Sequence, residues 1–215
     1  MSQIKSLLYS IFVSRRKRYD PGVYTSSYFL SKDAQPALDL CRPWADHCRP
    51  SNALDVGFGT GAVLKGLVEL GVDAHGVEPF SAARDLLPER YRERVTLGSA
   101  LATGATDRSY DLVLCLDVLA HLPEEQSLPA LRELLRVSRR WVLLNICYWT
   151  DSNARKDPTH VNLRSSGWWR RRIEAAGGLV VPTPPGWPNP RSTVLLRADA
   201  GPSIEAMRTA RSRKK

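Results

Sequence analysis

The stretch Ala53-Leu-Asp-Val-Gly-Phe-Gly-Thr-Gly-Ala62 constrains the fold more than any other part of this chain. A short apolar run stops in a glycine-rich turn, a helical pattern follows, and a second apolar run ends in Glu78. Glycine in such a turn takes the positive φ values its path demands and lets backbone approach a ligand with no Cβ in the way. An acid at the tip of the next strand can accept two hydrogen bonds from a ribose diol, which is how doubly wound α/β sheets fix nucleoside-type cofactors. The segment therefore predicts strand, turn, helix and strand, with a nucleoside-containing cofactor over the turn.

The same alternation continues downstream. Strands are predicted near 52–56, 73–77, 94–98, 111–116 and 141–146, and helices near 60–70, 81–90 and 124–138. That order implies an α/β fold with a parallel sheet and helices on both faces, its topology narrowed by right-handed crossovers. A helix from Ala34 to Cys48, stopped by Pro50, precedes the first strand. Ser165 is the predicted N-cap of a helix through Ala176 that Gly177-Gly178 ends, and strands near 179–182 and 193–198 finish the sheet. With 215 residues the chain is long enough for one well-buried α/β domain and too short for two ordinary ones.

Two cofactors compete for the glycine turn. Gly57, Gly59 and Ala62 fit the dinucleotide pattern G-x-G-x-x-G/A, with Glu78 near the spacing of its ribose acid. Asp55 argues the other way, because a carboxylate there repels a pyrophosphate and attracts the ammonium of a methionine-like group. Gly61 adds a third glycine in G-x-G-x-G spacing, and Tyr110-Asp-Leu-Val-Leu-Cys-Leu-Asp-Val-Leu-Ala-His-Leu-Pro123 supplies a strand ending in Asp117, then His121. On these residues the chain resembles the class I S-adenosylmethionine-dependent methyltransferases, from about Ala53 to Gly177.

The resemblance implies a Rossmann-like doubly wound sheet of seven strands, the last inserted antiparallel, and S-adenosylmethionine as cofactor. It divides the chain into a helical and aromatic cover over 1–33, a methyltransferase domain over 34–200, and a basic tail over 201–215. The implied cofactor contacts are Asp55, Gly57, Phe58, Gly59 and Gly61 in the first loop, then Glu78 and Pro79. Ser99 and Ala100 follow, with serine where the family commonly has aspartate, then Asp117 and Val118 at the methionine end.

Methyl transfer is an in-line displacement at a sulfonium methyl, so the protein must orient the acceptor and, for a hydroxyl or ammonium, take its proton. His121 and His160 are the two candidate bases; His75 and His47 read as structural. The segment Asp157-Pro-Thr-His-Val-Asn162 with Trp168-Trp169 resembles one found in methyltransferases acting on sugars and other secondary metabolites. Tyr28, Trp149, Asp157, Thr159 and Trp187 are the candidate substrate contacts, and Tyr28 with the loop after the fifth strand is expected to close over the cofactor. One of Trp168 and Trp169 should face the core. No H-x-x-x-H or H-E-x-x-H spacing occurs, so no metal site is predicted.

Charge and cysteine usage bound the partners. The formal net charge of +9 sits at the ends: residues 1–19 carry +5, residues 202–215 carry +4, and the body between is neutral. A protein that grips duplex nucleic acid places basic residues on its folded face, so a small-molecule acceptor is favoured over nucleic acid, with Arg170-Arg-Arg172 as a local exception. An RNA or protein methyltransferase tethered by the tails, and a cofactor-binding protein without turnover, remain the alternatives. Ile4, Leu7, Leu8, Ile11 and Phe12 recur at helical spacing ahead of Ser14-Arg-Arg-Lys-Arg18, giving either a packing helix or weak membrane-surface contact through residues 2–18. No apolar run is long enough to span a bilayer. Cys41, Cys48, Cys115 and Cys147 lack C-x-x-C spacing and read as reduced thiols of a cytoplasmic protein, Cys115 and Cys147 in predicted strands. The oligomeric state is left open.

Overall fold

The computed structural model describes residues 18–31 and 35–199. The helical pattern over residues 4–12 and the basic tail at 201–215 lie outside the described residues.

Seven strands form one sheet: β1 (Asn52–Val56), β2 (Asp73–Glu78), β3 (Val95–Leu97), β4 (Tyr110–Leu116), β5 (Ser138–Asn145), β6 (Leu179–Val181) and β7 (Thr193–Arg197). Their order is β3-β2-β1-β4-β5-β7-β6. The first five are parallel, and β7 runs antiparallel between β5 and β6, as the resemblance implies. The strand order reverses between β1 and β4, which opens a crevice at their carboxyl ends.

Central strands are buried on both faces, so they read as continuous apolar runs rather than as alternation. Ala53, Leu112, Leu114 and Leu143 pack to one side with α2 (Leu38–Cys48) and α3 (Ala62–Glu69). Leu54, Val113, Cys115 and Leu144 point the other way, against α6 (Ser127–Val137) and α8 (Ser166–Ala176). Ala130, Leu131, Leu134 and Val137 form the buried stripe of α6 at helical spacing. Trp169 is the member of the tryptophan pair that enters the core. Ser165 Oγ caps α8 by accepting from Trp168 N at 3.2 Å, and Gly177 closes it at φ 94°.

Four boundaries differ from the sequence expectations. Ahead of α2, Pro36 and Ala37 are not helical: the Ala37 amide bonds Ala62 O at 2.9 Å across to α3 instead of starting a helix. The predicted helix at 81–90 is two short ones, α4 (Ser81–Asp85) and α5 (Glu89–Arg92), broken at Pro88, whose ring cannot continue a helix. Arg92 satisfies the carbonyls left open there, donating to Leu87 O and Asp85 O. A 3₁₀ turn at Glu124–Gln126 precedes α6. Beyond α6, β5 begins at once at Ser138, with an irregular register between Tyr110↔Ser138 and Leu112↔Trp141, so the extra residue is taken up in the sheet rather than in a loop. Cys147 lies past the end of β5, not inside it.

Among the described residues no helix is long and apolar enough to cross a membrane.

Candidate active site

β1 delivers its chain into the crevice as a left-handed turn. Gly57 sits at φ 79° and its amide bonds Val77 O at 2.7 Å, tying the turn to β2. A Cβ on Gly57 would lie 2.3 Å from Val118 Cγ2, so both backbone conformation and the β4 loop exclude a side chain here. At Gly59, φ 53°, a Cβ would meet Gly57 O at 4.0 Å, an ordinary contact. Phe58 lies across Gly76 of β2, where a Cβ would meet its ring at 2.7 Å, and this contact seats the turn. Gly61 differs from its expected role. It begins α3 at φ 73°, its missing Cβ makes room for Leu87 at 2.5 Å, and it does not line the cavity.

The cavity above this turn has a volume of about 470 Å³. Asp55, Gly57, Phe58, Gly59, Glu78, Pro79, Ser99, Ala100, Asp117 and Val118, residues the resemblance names as cofactor contacts, line it. Asp55 is buried and its Oδ2 has no hydrogen-bond partner. Burial pushes its carboxyl up to about 7, against an opposing hydrogen bond from the Leu64 amide. Glu78 is also buried; its Oε2 accepts from Gly59 N at 3.3 Å, and burial lifts it to about 7. Two buried carboxylates at the tips of β1 and β2 therefore await donors or a cation. A ribose diol on Glu78 and an ammonium near Asp55 would supply them, so the residues present fit S-adenosylmethionine. At the adenine end Ser99 Oγ already accepts from Leu101 N at 3.2 Å and can still donate.

The opposite end is built on the β4 loop. Asp117 adopts φ 57°, a left-handed conformation uncommon for a residue with a side chain. His121 lines the cavity, its Nδ1 3.0 Å from the Tyr24 hydroxyl. Burial, and next the nearby His160, hold its imidazole below the ordinary range, so it is neutral at physiological pH. Tyr24 stacks on Phe80 with ring centroids 4.4 Å apart and meets Tyr28 edge-on at 5.0 Å, which makes an aromatic wall. Tyr28 lines the cavity with them, from α1 (Ser26–Leu30).

The other expected acceptor residues fall elsewhere. His160 is 4% exposed and does not line the cavity; its Nδ1 is 2.8 Å from Ala154 O and its ring packs edge-on against His121 at 4.6 Å. Asp157 accepts from the Thr159 amide and hydroxyl in the loop after α7 (Ser152–Lys156); neither residue lines the cavity, but Thr159 hydrogen-bonds Tyr24 and Tyr28 of its aromatic wall. Trp149 packs beside Ala120, Ala154 and Leu163, outside the cavity. Trp187 is 5% exposed in the core of the α2 face, edge-on to His47 at 5.4 Å, because the proline-rich segment folds back onto the sheet. Arg172 of the basic triplet lies over Trp168 and pairs with Glu124. The sequence reading missed Tyr19, Tyr24, Phe80 and Gln126, all cavity-lining. The aromatic clustering over residues 19–29 was the available signal for the first two.

Residues 54–143 match the family model described as a methyltransferase domain. The chain carries a class I S-adenosylmethionine-dependent methyltransferase domain. Its cofactor is S-adenosylmethionine, and the methyltransferase shares its fold with solved structures of low identity. A SAM-dependent methyltransferase from Archaeoglobus fulgidus superposes with TM-score 0.57 at 18% identity, over 65% of this chain and 66% of that one. A TehB-like SAM-dependent methyltransferase from Corynebacterium glutamicum gives TM-score 0.57 at 19% identity, over 75% and 86%. A Thermotoga maritima methyltransferase described as a possible histamine N-methyltransferase gives 0.51 at 17%, over 89% and 97%. The match thus spans about two thirds of the Archaeoglobus protein. No curated protein matches.

Proposed function

We propose that this methyltransferase transfers the methyl group to a hydroxyl or amine of a small polar acceptor, a sugar, glycoside or related natural product. The observation that carries this reading is that His121 opens onto the same cavity as Asp55 and Glu78. A cofactor cradle and a proton acceptor thus face one volume, walled on one side by Tyr24, Tyr28 and Phe80. A cavity of about 470 Å³ with such walls suits cofactor plus a small acceptor better than a polymer. The four cysteines, all free, support a reducing, cytoplasmic setting.

S-adenosylmethionine supplies an electrophilic methyl on a sulfonium that leaves as a neutral thioether. Everything else falls to the chain. Asp55 and Glu78 fix the two ends of the methionine and ribose. The aromatic wall orients the acceptor and excludes water, and orientation of this kind lowers a barrier by roughly 7–11 kcal/mol. His121 would take the proton that the acceptor hydroxyl or ammonium gives up when it is methylated. Tyr24 holds that ring in place through Nδ1. His160 packs edge-on against the His121 ring from outside the cavity.

The test is incubation with methyl-labelled S-adenosylmethionine and cell extract, fractionated by size and treated with nuclease and protease, with Glu78→Ala as control. Label in a small, resistant fraction that vanishes in the control is the expected result. Label confined to RNA or protein would overturn the small-acceptor reading.

A further inference from the structure

Asp117, Cys147 and His160 come from three separate loops, after β4, after β5 and after α7. Their donor atoms converge. Cys147 Sγ is 2.6 Å from Asp117 Oδ1, His160 Nε2 is 3.5 Å from the same oxygen, and all three atoms lie within 4.8 Å of one another. The His160 ring is buried, with Nδ1 against Ala154 O at 2.8 Å. A carbonyl only accepts, so Nδ1 carries the proton and neutral His160 presents a lone pair at Nε2. That nitrogen is buried, and its polar neighbour is Asp117 Oδ1, at 3.5 Å.

We propose that Asp117, Cys147 and His160 bind one divalent transition-metal ion of the zinc class, with an open fourth position toward the methyl-transfer cavity. The donor set decides the class of ion. Imidazole and thiolate beside one carboxylate suit zinc and its neighbours, whereas magnesium and calcium take oxygen ligands. A backbone carbonyl behind the other ring nitrogen is the usual outer support of a metal-binding histidine.

The distances agree for two of the three ligands. Zinc bonds of about 2.0–2.2 Å to nitrogen and oxygen put tetrahedral ligand atoms roughly 3.3–3.5 Å apart. The 3.5 Å between Nε2 and Oδ1 already meets this. The Sγ–Oδ1 pair must open by about 1 Å, a side-chain rotation of Cys147, which sits in a loop beyond the last paired residue of β5.

Three protein ligands and one open position is the pattern of catalytic rather than structural zinc. Asp117 lines the cavity with a side chain 57% exposed, and His121, packed on His160, lines it too. Asp117 is the ligand through which an ion held there would reach the cavity. What the ion does there rests on the small-acceptor reading above. An acceptor hydroxyl held at that position gives up its proton more readily. The proton goes to His121, the oxygen pair forms the O–CH₃ bond, and the S–CH₃ pair returns to sulfur. The ion keeps its oxidation state throughout.

The experiment uses untagged full-length protein stripped by a chelator, dialysed against Zn²⁺ and separately titrated with Co²⁺. Expected are one Zn²⁺ per chain and a cobalt spectrum with a near-ultraviolet thiolate band and the visible bands of a tetrahedral site. His160→Ala and Cys147→Ser should each weaken Zn²⁺ binding by about tenfold or more, and Cys147→Ser should lose the thiolate band. Calorimetry with S-adenosylmethionine on the same samples reports whether each variant keeps its fold. Wild-type protein that takes up no Zn²⁺, a cobalt spectrum without the thiolate band, or folded variants that bind as tightly as wild type would overturn the proposal. Cofactor binding and a labelled small acceptor without Zn²⁺ would sink the metal site alone. Stoichiometric Zn²⁺ with label only in a polymer would keep the site and sink the acceptor reading.

Discussion

Replacing Glu78 by glutamine tests the cradle quantitatively, because burial has placed this carboxyl where its charge state changes within the working range. Its ionisation midpoint near 7 follows mainly from desolvation. A ribose diol donates two hydrogen bonds and so selects the carboxylate; binding lowers the midpoint and expels a proton. At pH 8 about nine tenths of Glu78 is ionised and at pH 6 about one tenth, so its contribution to cofactor affinity falls roughly tenfold over that interval. Asp55, also near 7, titrates in parallel. The useful quantity is therefore the ratio of wild-type to Glu78→Gln affinity at each pH, which cancels the cofactor's own groups and leaves Glu78 with its smaller coupling to Asp55. Hydrogen bonds to a charged acceptor are worth about 1.5–3 kcal/mol, which sets the ratio at roughly 10–150 at pH 8. It should shrink by about tenfold at pH 6. Calorimetry in two buffers of different ionisation heat adds the proton count, about half a proton released through Glu78 near pH 7. A ratio that stays constant from pH 6 to pH 8 would refute the assignment of Glu78 to the ribose. The cofactor-free fold carries the opposite signature. Glu78 is raised above its unfolded value, so its stabilising share is full below about pH 4 and is lost as pH rises through 7, roughly 3 kcal/mol in all. Thermal melts of Glu78→Gln should lack that part of the decline.

Four further outcomes follow from named contacts. Gly57→Ala meets Val118 at 2.3 Å and a φ of 79°, so it should weaken cofactor binding and cost more than ~1 kcal/mol; adding Val118→Ala should restore only part, measured by denaturation and calorimetry. His121→Ala should lower kcat by about 10²–10⁴ with cofactor affinity unchanged within a few-fold, and Tyr24→Phe should fall between it and wild type. Leu134→Ala, fully buried on α6, should destabilise by about 2–5 kcal/mol in urea melts. Trp187→Phe should lower Tm while leaving the acceptor KM unchanged, since the ring sits in the core and not on the cavity.

What could be read from sequence was what is local. The β1 turn, Glu78 and the β4 tip each carry their meaning within a few residues, because strand ends in a parallel sheet point at the crevice wherever the rest of the chain goes. Gly61 shows the limit: its glycine is demanded by Leu87, a neighbour from the broken α4–α5 segment, and nothing in the local pattern names that contact. His160 and Trp187 lie off the cavity for a related reason. Both lie in segments without regular periodicity, where a single contact, Ala154 O for one and the α2 face for the other, fixes the side chain. The convergence of Asp117, Cys147 and His160 was invisible because metal-ligand spacing is a property of one helix or loop, and these residues come from three.

The placement of β7 has a bearing on how the chain matures. It is the last of the described strands in chain order, yet it lies inside the sheet, hydrogen-bonded on both sides by β5 and β6. During synthesis the other six strands emerge first, and until Thr193–Arg197 clears the ribosome the β5 flank, with Val142 and Leu144 destined for full burial, has an unpaired edge. An open apolar edge invites pairing with other chains, so nascent molecules stalled before residue 193 should be the aggregation-prone species. The sheet closes only once its seventh strand has emerged.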